Sequence, residues 1–163
     1  MKKDPIRILF LDDEPSNLTS FKAAFRREFD IVLSNEAEEA LRLVEEFRPH
    51  VVFSDQRMPK MNGVSFLKRV KEIRPNAIRV LITAYTDTQE IIKAINEGNI
   101  YRFIGKPWSV DEIRQTIING HEIYATKKKL EGKLQQLEKT NSELNRFIYS
   151  NRRVFRSGGC TDI

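Results

Sequence analysis

Five short apolar runs alternate with five amphipathic stretches along the first three quarters of the chain. No other feature constrains the fold as tightly. The runs are Ile6–Leu11, Ile31–Leu33, Val51–Phe53, Val80–Thr83 and Tyr101–Ile104. Several are apolar at successive positions and not at every second one, the pattern of strands covered on both faces, as in a parallel sheet. Between the runs, apolar residues recur at helical spacing. Leu18, Phe21, Ala24 and Phe25 form the first stripe, Ala37, Ala40, Leu41 and Val44 the second, and Phe66, Leu67, Val70 and Ile73 the third. Ile91, Ile92 and Ile95 form the fourth, and Ile113, Ile117 and Ile118 the fifth. Turn signals at Arg48-Pro49, Met61-Asn62-Gly63, Arg74-Pro75-Asn76 and Glu97-Gly98-Asn99 separate these elements. Ser16, Thr86 and Ser109 are expected helix N-caps. The pattern predicts a doubly wound α/β domain over residues 4–120.

Beyond Gly120 helix formers dominate, and the fifth helix is expected to continue as a coiled-coil extension over residues 121–150. Residues 151–163 read as a disordered tail. Lys127, Leu130, Leu134, Leu137, Asn141, Leu144 and Ile148 follow alternating steps of three and four. Leu130, Leu137 and Leu144 then fall at heptad position d, and Lys127, Leu134, Asn141 and Ile148 at a. An Asn at a favours a parallel two-stranded register, and Lys133 at g would face Glu138 at e of a partner. A parallel homodimer through this seam is the expectation. The rival is a single helix folded back on its own domain.

Charge is uneven. Residues 1–120 hold 19 Lys/Arg against 18 Asp/Glu, and residues 121–163 hold 9 against 5, so most of the net charge of +5 belongs to the extension. No stacking aromatics interleave with the basic residues of the coiled-coil stretch, so the surplus reads as a solvated face and not as a nucleic-acid surface. No apolar run is of membrane-spanning length and Met1-Lys2-Lys3-Asp4 opens no signal peptide, which makes a cytoplasmic location the expectation and a membrane partner unexpected. The one cysteine, Cys160, cannot form an internal disulfide.

The first strand ends in Asp12, Asp13 and Glu14, and the third ends in Asp55. The fourth ends in Thr83, and Lys106 follows the fifth. In an open parallel sheet the ligand site lies beyond the carboxyl ends of the strands. Three carboxylates there repel one another unless a cation sits among them, and oxygen-only ligation points to a hard ion, Mg²⁺. One such acid alone would be an ordinary helix N-terminal charge; the joint placement gives the site its meaning. A metal beside an ammonium and a hydroxyl makes an electrophilic clamp for a phosphoryl group, with Asp55 as nucleophile.

Together, "ILFLDDEPSN", "VVFSDQRMPKMNG", "VLITAYT" and "RFIGKPW" resemble, in order and spacing, the receiver domain of two-component response regulators, over about residues 5–120. The resemblance implies a flavodoxin-like five-stranded parallel sheet. It implies phosphorylation of Asp55 by a phosphohistidine on a sensor histidine kinase or a histidine phosphotransfer protein. Asp13 would ligate Mg²⁺ directly, Asp12 mainly through water, Asp55 as a further ligand and Arg57 through its backbone carbonyl. Thr83 and Lys106 would bind the phosphoryl oxygens, and the Lys106–Pro107 bond would be cis. Thr83 and Phe103 would form the switch, with Phe103 moving inward when Thr83 is drawn to the phosphate. Arg57 and Tyr85 would flank the path of the hydrolytic water, and their bulk implies slow self-dephosphorylation. Such a chain is a phosphoacceptor and not an enzyme in the ordinary sense.

The rival enzyme reading is a Mg²⁺-dependent phosphohydrolase with an aspartate nucleophile. Such a site places an acid two residues after the nucleophile, where Arg57 stands and cannot serve as acid/base. A flavin-binding module would need a glycine-rich phosphate loop after the first strand, where Asp12-Asp13-Glu14-Pro15 would repel phosphate. "LEGKLQQLEKTNSELNRFIYS" resembles the linker helix ahead of the dimerisation helices of histidine kinases, but Asn151-Arg152-Arg153 follow where a phosphoacceptor histidine would stand.

Overall fold

The computed structural model describes residues 3–84 and 88–156. Five strands, β1 (Arg7–Leu11), β2 (Asp30–Ser34), β3 (Val51–Asp55), β4 (Ile78–Thr83) and β5 (Arg102–Gly105), alternate with five helices. These are α1 (Pro15–Phe25), α2 (Ala37–Phe47), α3 (Gly63–Ile73), α4 (Thr88–Asn96) and α5 (Val110–Arg156). All strand pairings are parallel, in the order β2-β1-β3-β4-β5. This is the flavodoxin-like doubly wound arrangement. The strand order reverses between β1 and β3, so these two neighbours carry chain in opposite directions around the sheet. The chain divides into two compact units, Met1–Ala125 and Thr126–Ile163.

The unbroken apolar runs have the expected cause. Along β1, Ile8 and Phe10 face one layer while Leu9 and Leu11 face the other, and all four are fully buried. The first layer gathers Phe21 and Phe25 of α1, Phe53 of β3, and Ile113 and Ile117 of α5. Phe21 is its hub, with ring centroids 4.5 Å from Phe10, 4.9 Å from Phe25 and 5.5 Å from Phe53. The second layer packs Val52 and Leu81 against Leu41, Phe66, Leu67, Ile91 and Ala94. Apolar residues on β1 are therefore favoured whichever way they point.

Helix ends follow local chemistry. Glu14, not Ser16, occupies the N-cap of α1, because Pro15 takes the first helical position. Proline suits that position, since its fixed φ is already helical and its missing N–H would have no partner there. Ser109 does cap its helix, its Oγ accepting from the N–H of Glu112 at 3.1 Å. Asn62 caps α3, its Oδ1 accepting from the N–H of Ser65 at 2.8 Å. Thr86 and Cys160 lie outside the described residues.

In the second unit, helix continues past Ser150, where the tail was expected to begin, as far as Arg156. Its expected seam residues Leu130, Leu134, Leu137, Asn141, Leu144 and Ile148 are all exposed. No helix among the described residues is long and apolar enough to cross a membrane.

Candidate functional site

Strands β1 and β3 lie in register with Leu11 beside Ser54. The next residues along the two strands, Asp12 and Asp55, therefore emerge side by side where the strand order reverses. Asp12 is completely buried and Asp55 nearly so. One carboxylate oxygen from each of Asp12, Asp13 and Asp55 lies within 4.8 Å of the others. Lys106 enters from the end of β5. Its Nζ stands 3.1 Å from Asp55 Oδ1 and 3.3 Å from Asp12 Oδ2. The Lys106–Pro107 peptide bond is cis.

The three acids are not equivalent. Asp12 is already engaged: Oδ1 accepts from the N–H of Glu14 and Oδ2 from Asn17 Nδ2, both at 3.0 Å. Asp13 is half-buried at the edge of the cluster. Burial pushes the Asp55 carboxyl above the ordinary range, with Lys106 pulling the other way and the charge of Asp12 adding to the rise. For Lys106, burial alone would lower the ammonium's pKa, but Asp55 and Asp12 together carry it above its usual value. Three formal negative charges thus face one positive charge at close range. Like charges in so small a space favour a further cation, and an all-oxygen donor set with no imidazole or thiolate suits Mg²⁺.

The backbone under Asp55 is fixed by α3. The N–H of Gly63 donates to the carbonyl of Gln56 at 2.9 Å. The buried Gln56 side chain accepts from the N–H of Val64 at 3.0 Å. Gly63 rests directly on the Asp55 peptide, and a Cβ there would overlap the Asp55 carbonyl oxygen. Gln56, Gly63 and the Asn17 amide were not among the site residues expected from the sequence. The Asn62-Gly63 pair showed only as a turn signal; what makes glycine necessary is a tertiary contact across eight residues.

Thr83, the last residue of β4, is buried. Phe103, on β5, is 46% exposed, although a phenylalanine in a strand of this sheet would ordinarily be core. Beside it lies a cavity of about 240 Å³ whose lining includes Thr83, Ala84, Ile91 and Lys106. Arg57 is exposed, just beyond β3, and Tyr85 lies outside the described residues. The structure therefore brings Asp12, Asp13, Asp55 and Lys106 into one cluster and sets Thr83 and Phe103 along one cavity wall. The seam residues Leu130 to Ile148 belong to the second unit.

Known proteins resemble this one in both sequence and shape. The family model described as the response regulator receiver domain matches residues 8–118. The hydrogenase transcriptional regulatory protein HoxA of Bradyrhizobium diazoefficiens is 33% identical over 147 residues, covering 90% of this chain and 30% of that protein. The chain thus spans less than a third of the length of this curated relative. Among solved structures, one described as an adenylate cyclase from Rhodopirellula baltica superposes with a TM-score of 0.76 at 30% identity, covering 80% of this chain and 98% of that one. The signal receiver domain of an HD domain-containing protein from Pseudomonas fluorescens Pf-5 gives 0.73 at 27% identity, covering 79% and 96%.

Proposed function

Because this chain belongs to the response regulator receiver family, whose members are signalling modules that take phosphoryl groups from histidine kinases at an acidic, Mg²⁺-binding pocket, we propose that Asp55 is its phosphoacceptor. The observation that carries this is the convergence of Asp12, Asp13, Asp55 and Lys106 at the strand-order reversal. A carboxylate oxygen of Asp55 attacks the phosphorus of a phosphohistidine on a sensor kinase or phosphotransfer protein. The phosphorus–nitrogen bond breaks, its electron pair returns to the imidazole, and an acyl phosphate remains on Asp55. Asp13, Asp55 and the Arg57 carbonyl would hold Mg²⁺ directly, with Asp12 acting through water since its oxygens are already hydrogen-bonded. When bound, the ion screens the carboxylates and draws charge from the phosphoryl oxygens.

Lys106 supplies the remaining positive charge and holds Asp55 oriented for attack. Thr83 would turn its hydroxyl to the new phosphoryl group, and Phe103 would then leave solvent for the cavity beside it. Arg57 and Tyr85 would crowd the approach of water and prolong the phosphorylated state.

Incubation with Mg²⁺ and acetyl phosphate, followed by intact mass, tests the assignment. The wild type should gain one base-labile phosphate, and Asp55→Asn and Asp13→Ala should gain none. Full labelling of Asp55→Asn would refute it.

The output end reads as a homodimer. Leu130, Leu134, Leu137 and Leu144 are each more than half exposed in the single chain, at heptad spacing. A second copy in parallel register covers them and sets Lys133 against Glu138. Light scattering at tens of micromolar should give twice the chain mass for residues 1–163 and a monomer for residues 1–125. A full-length monomer would exclude this pairing.

A further inference from the structure

Helix α4 is attached to the domain differently from α3. It buries only Ile91 and Ala94, whereas α3 buries Phe66, Leu67 and Val70. Apolar burial therefore holds α4 with less free energy than it holds its neighbour. The C-terminal end of α4 is held by polar groups as well as by Ala94 and by Ile100 just beyond it. Gly98, at φ +72°, takes the left-handed conformation that closes a helix. Its N–H and that of Asn99 donate to the carbonyls of Ile95 and Ala94, at 3.0 and 2.9 Å.

The carbonyls of this turn are then gripped from below by Arg79. Its Nη2 donates to Gly98 O at 2.9 Å and its Nε to Asn99 O at 2.8 Å. Its Nη1 donates to Ala77 O at 2.8 Å and Pro75 O at 3.1 Å, tying the same guanidinium to the turn after α3. Lys71 adds a bond from Nζ to Glu97 O at 3.1 Å. Arg79 is only 6% exposed, and all four of its acceptors are neutral carbonyls. The cost of burying this cation without a carboxylate is offset by hydrogen bonds from all three of its guanidinium nitrogens. Arg79 also shares a strand with Thr83. Side chains at alternate positions of a strand share a face, so Arg79, Leu81 and Thr83 point the same way. The first and last are separated by about 13 Å.

We propose that Arg79 is a positioning residue that fixes the C-terminal end of α4, so that α4 responds to phosphorylation by swinging about Glu97–Tyr101 and not by shifting as a whole. One face of β4 then governs both ends of the helix, Thr83 at its start and Arg79 at its finish. The inference rests on Asp55 being the phosphoacceptor.

Hydrogen exchange followed by mass spectrometry, on the full chain with and without Mg²⁺ and acetyl phosphate, tests it. Intact mass measured in parallel reports the label. In the wild type, labelling should change exchange across residues 88–94 and leave residues 97–102 within about twofold. Arg79→Lys keeps the charge but loses the fork. It should label as the wild type does, exchange about tenfold faster at residues 97–102 before labelling, and spread the label-dependent change into that segment. An equal change along the whole of α4 in the wild type would overturn the proposal. So would a labelled protein with an unresponsive α4, or an Arg79→Lys protein with the wild-type pattern. If Arg79→Lys does not fold, as judged by Trp108 fluorescence, the wild-type pattern decides alone. A wild type that takes no label would instead refute the phosphoacceptor reading, and the pivot with it.

Discussion

The two ends of the central sheet treat buried polar groups in opposite ways. At the C-terminal ends of the strands, Asp12, Asp13 and Asp55 crowd together against one lysine, and the net charge is left unbalanced. At the N-terminal ends, Arg79 and His50 are just as enclosed, but each meets neutral partners placed for it. Arg79 makes four bonds to carbonyls. His50 is 8% exposed, with Nδ1 accepting from the N–H of Arg7 at 2.9 Å and its ring edge-on to His121 and Tyr124 at 4.9 and 4.8 Å. The satisfied end contributes stability, while the unbalanced end gives some up, at the place where the proposed function would seat a cation and an incoming phosphoryl group. The same kind of substitution should therefore have opposite signs at the two ends.

The largest effect should come from Arg79. Arg79→Met keeps most of the volume but strips the bonds from four carbonyls, and two of those bonds, to Asn99 and Ala77, are buried. The expected loss is about 3 kcal/mol, or a fall in melting temperature of roughly 10 °C. Thermal unfolding by circular dichroism measures it. A variant that melts within a degree of the wild type would remove the contrast between the two ends.

The sequence made the acidic end plain and hid the other. Asp12, Asp13, Asp55 and Lys106 could be placed because each closes or follows an apolar run, and strand ends in a parallel sheet share one edge. Arg79 was invisible for the same reason reversed. A charge before Val80 looked like the boundary of the strand, so β4 was expected two residues short of its observed start at Ile78. Its acceptors are main-chain carbonyls, which every residue has and no sequence marks. Gly63 likewise appeared as a turn residue, because its contact is with the Asp55 peptide and not with any patterned side chain. The cap of α1 was misplaced by two residues because proline outranked serine for the first turn. The exposure of Phe103 could not be read from the hydrophobic pattern, since an aromatic ring in a strand looks the same whether it is packed or beside a cavity; only the receiver resemblance, which makes it a switch that moves inward, implied an outward ring.

An intermediate effect is expected at His50, as a dependence on pH. Burial first, then the positive charge of Arg7 and the neighbouring His121, push its pKa from 6.5 down to about 4. Burial also lowers His121, which faces Lys3, Arg7 and the opposing charge of Glu122. A histidine depressed in the folded state takes up its proton more readily when unfolded. Its neutral form therefore contributes stability above pH 6.5 that is lost as pH falls from 6.5 toward 4. Between pH 7.5 and 5 the wild type should lose about 2 kcal/mol more than His50→Gln. Parallel melting curves for the two proteins over that range would show that His50 is not the sensitive group.

The smallest effect carries the opposite sign. Burial and the charge of Asp12 hold the Asp55 carboxyl above its ordinary pKa, despite Lys106. A carboxylate raised in the folded state binds its proton more tightly there than in the unfolded chain. The folded protein is therefore favoured by protonation at low pH and loses that advantage as pH rises through the folded value. At neutral pH the ionised Asp55 is then a net cost. Asp55→Asn removes the charge, keeps the shape and leaves Lys106 its pairing with Asp12. With chelator present to exclude metal, Asp55→Asn should melt higher than the wild type by about 3 °C, near 1 kcal/mol. Adding Mg²⁺ should narrow the gap by stabilising the wild type more, because the variant would lack one of the proposed ligands for the ion. A variant that melts lower in chelator would mean that Lys106 already balances the cluster, and the two ends of the sheet would then differ in chemistry but not in sign.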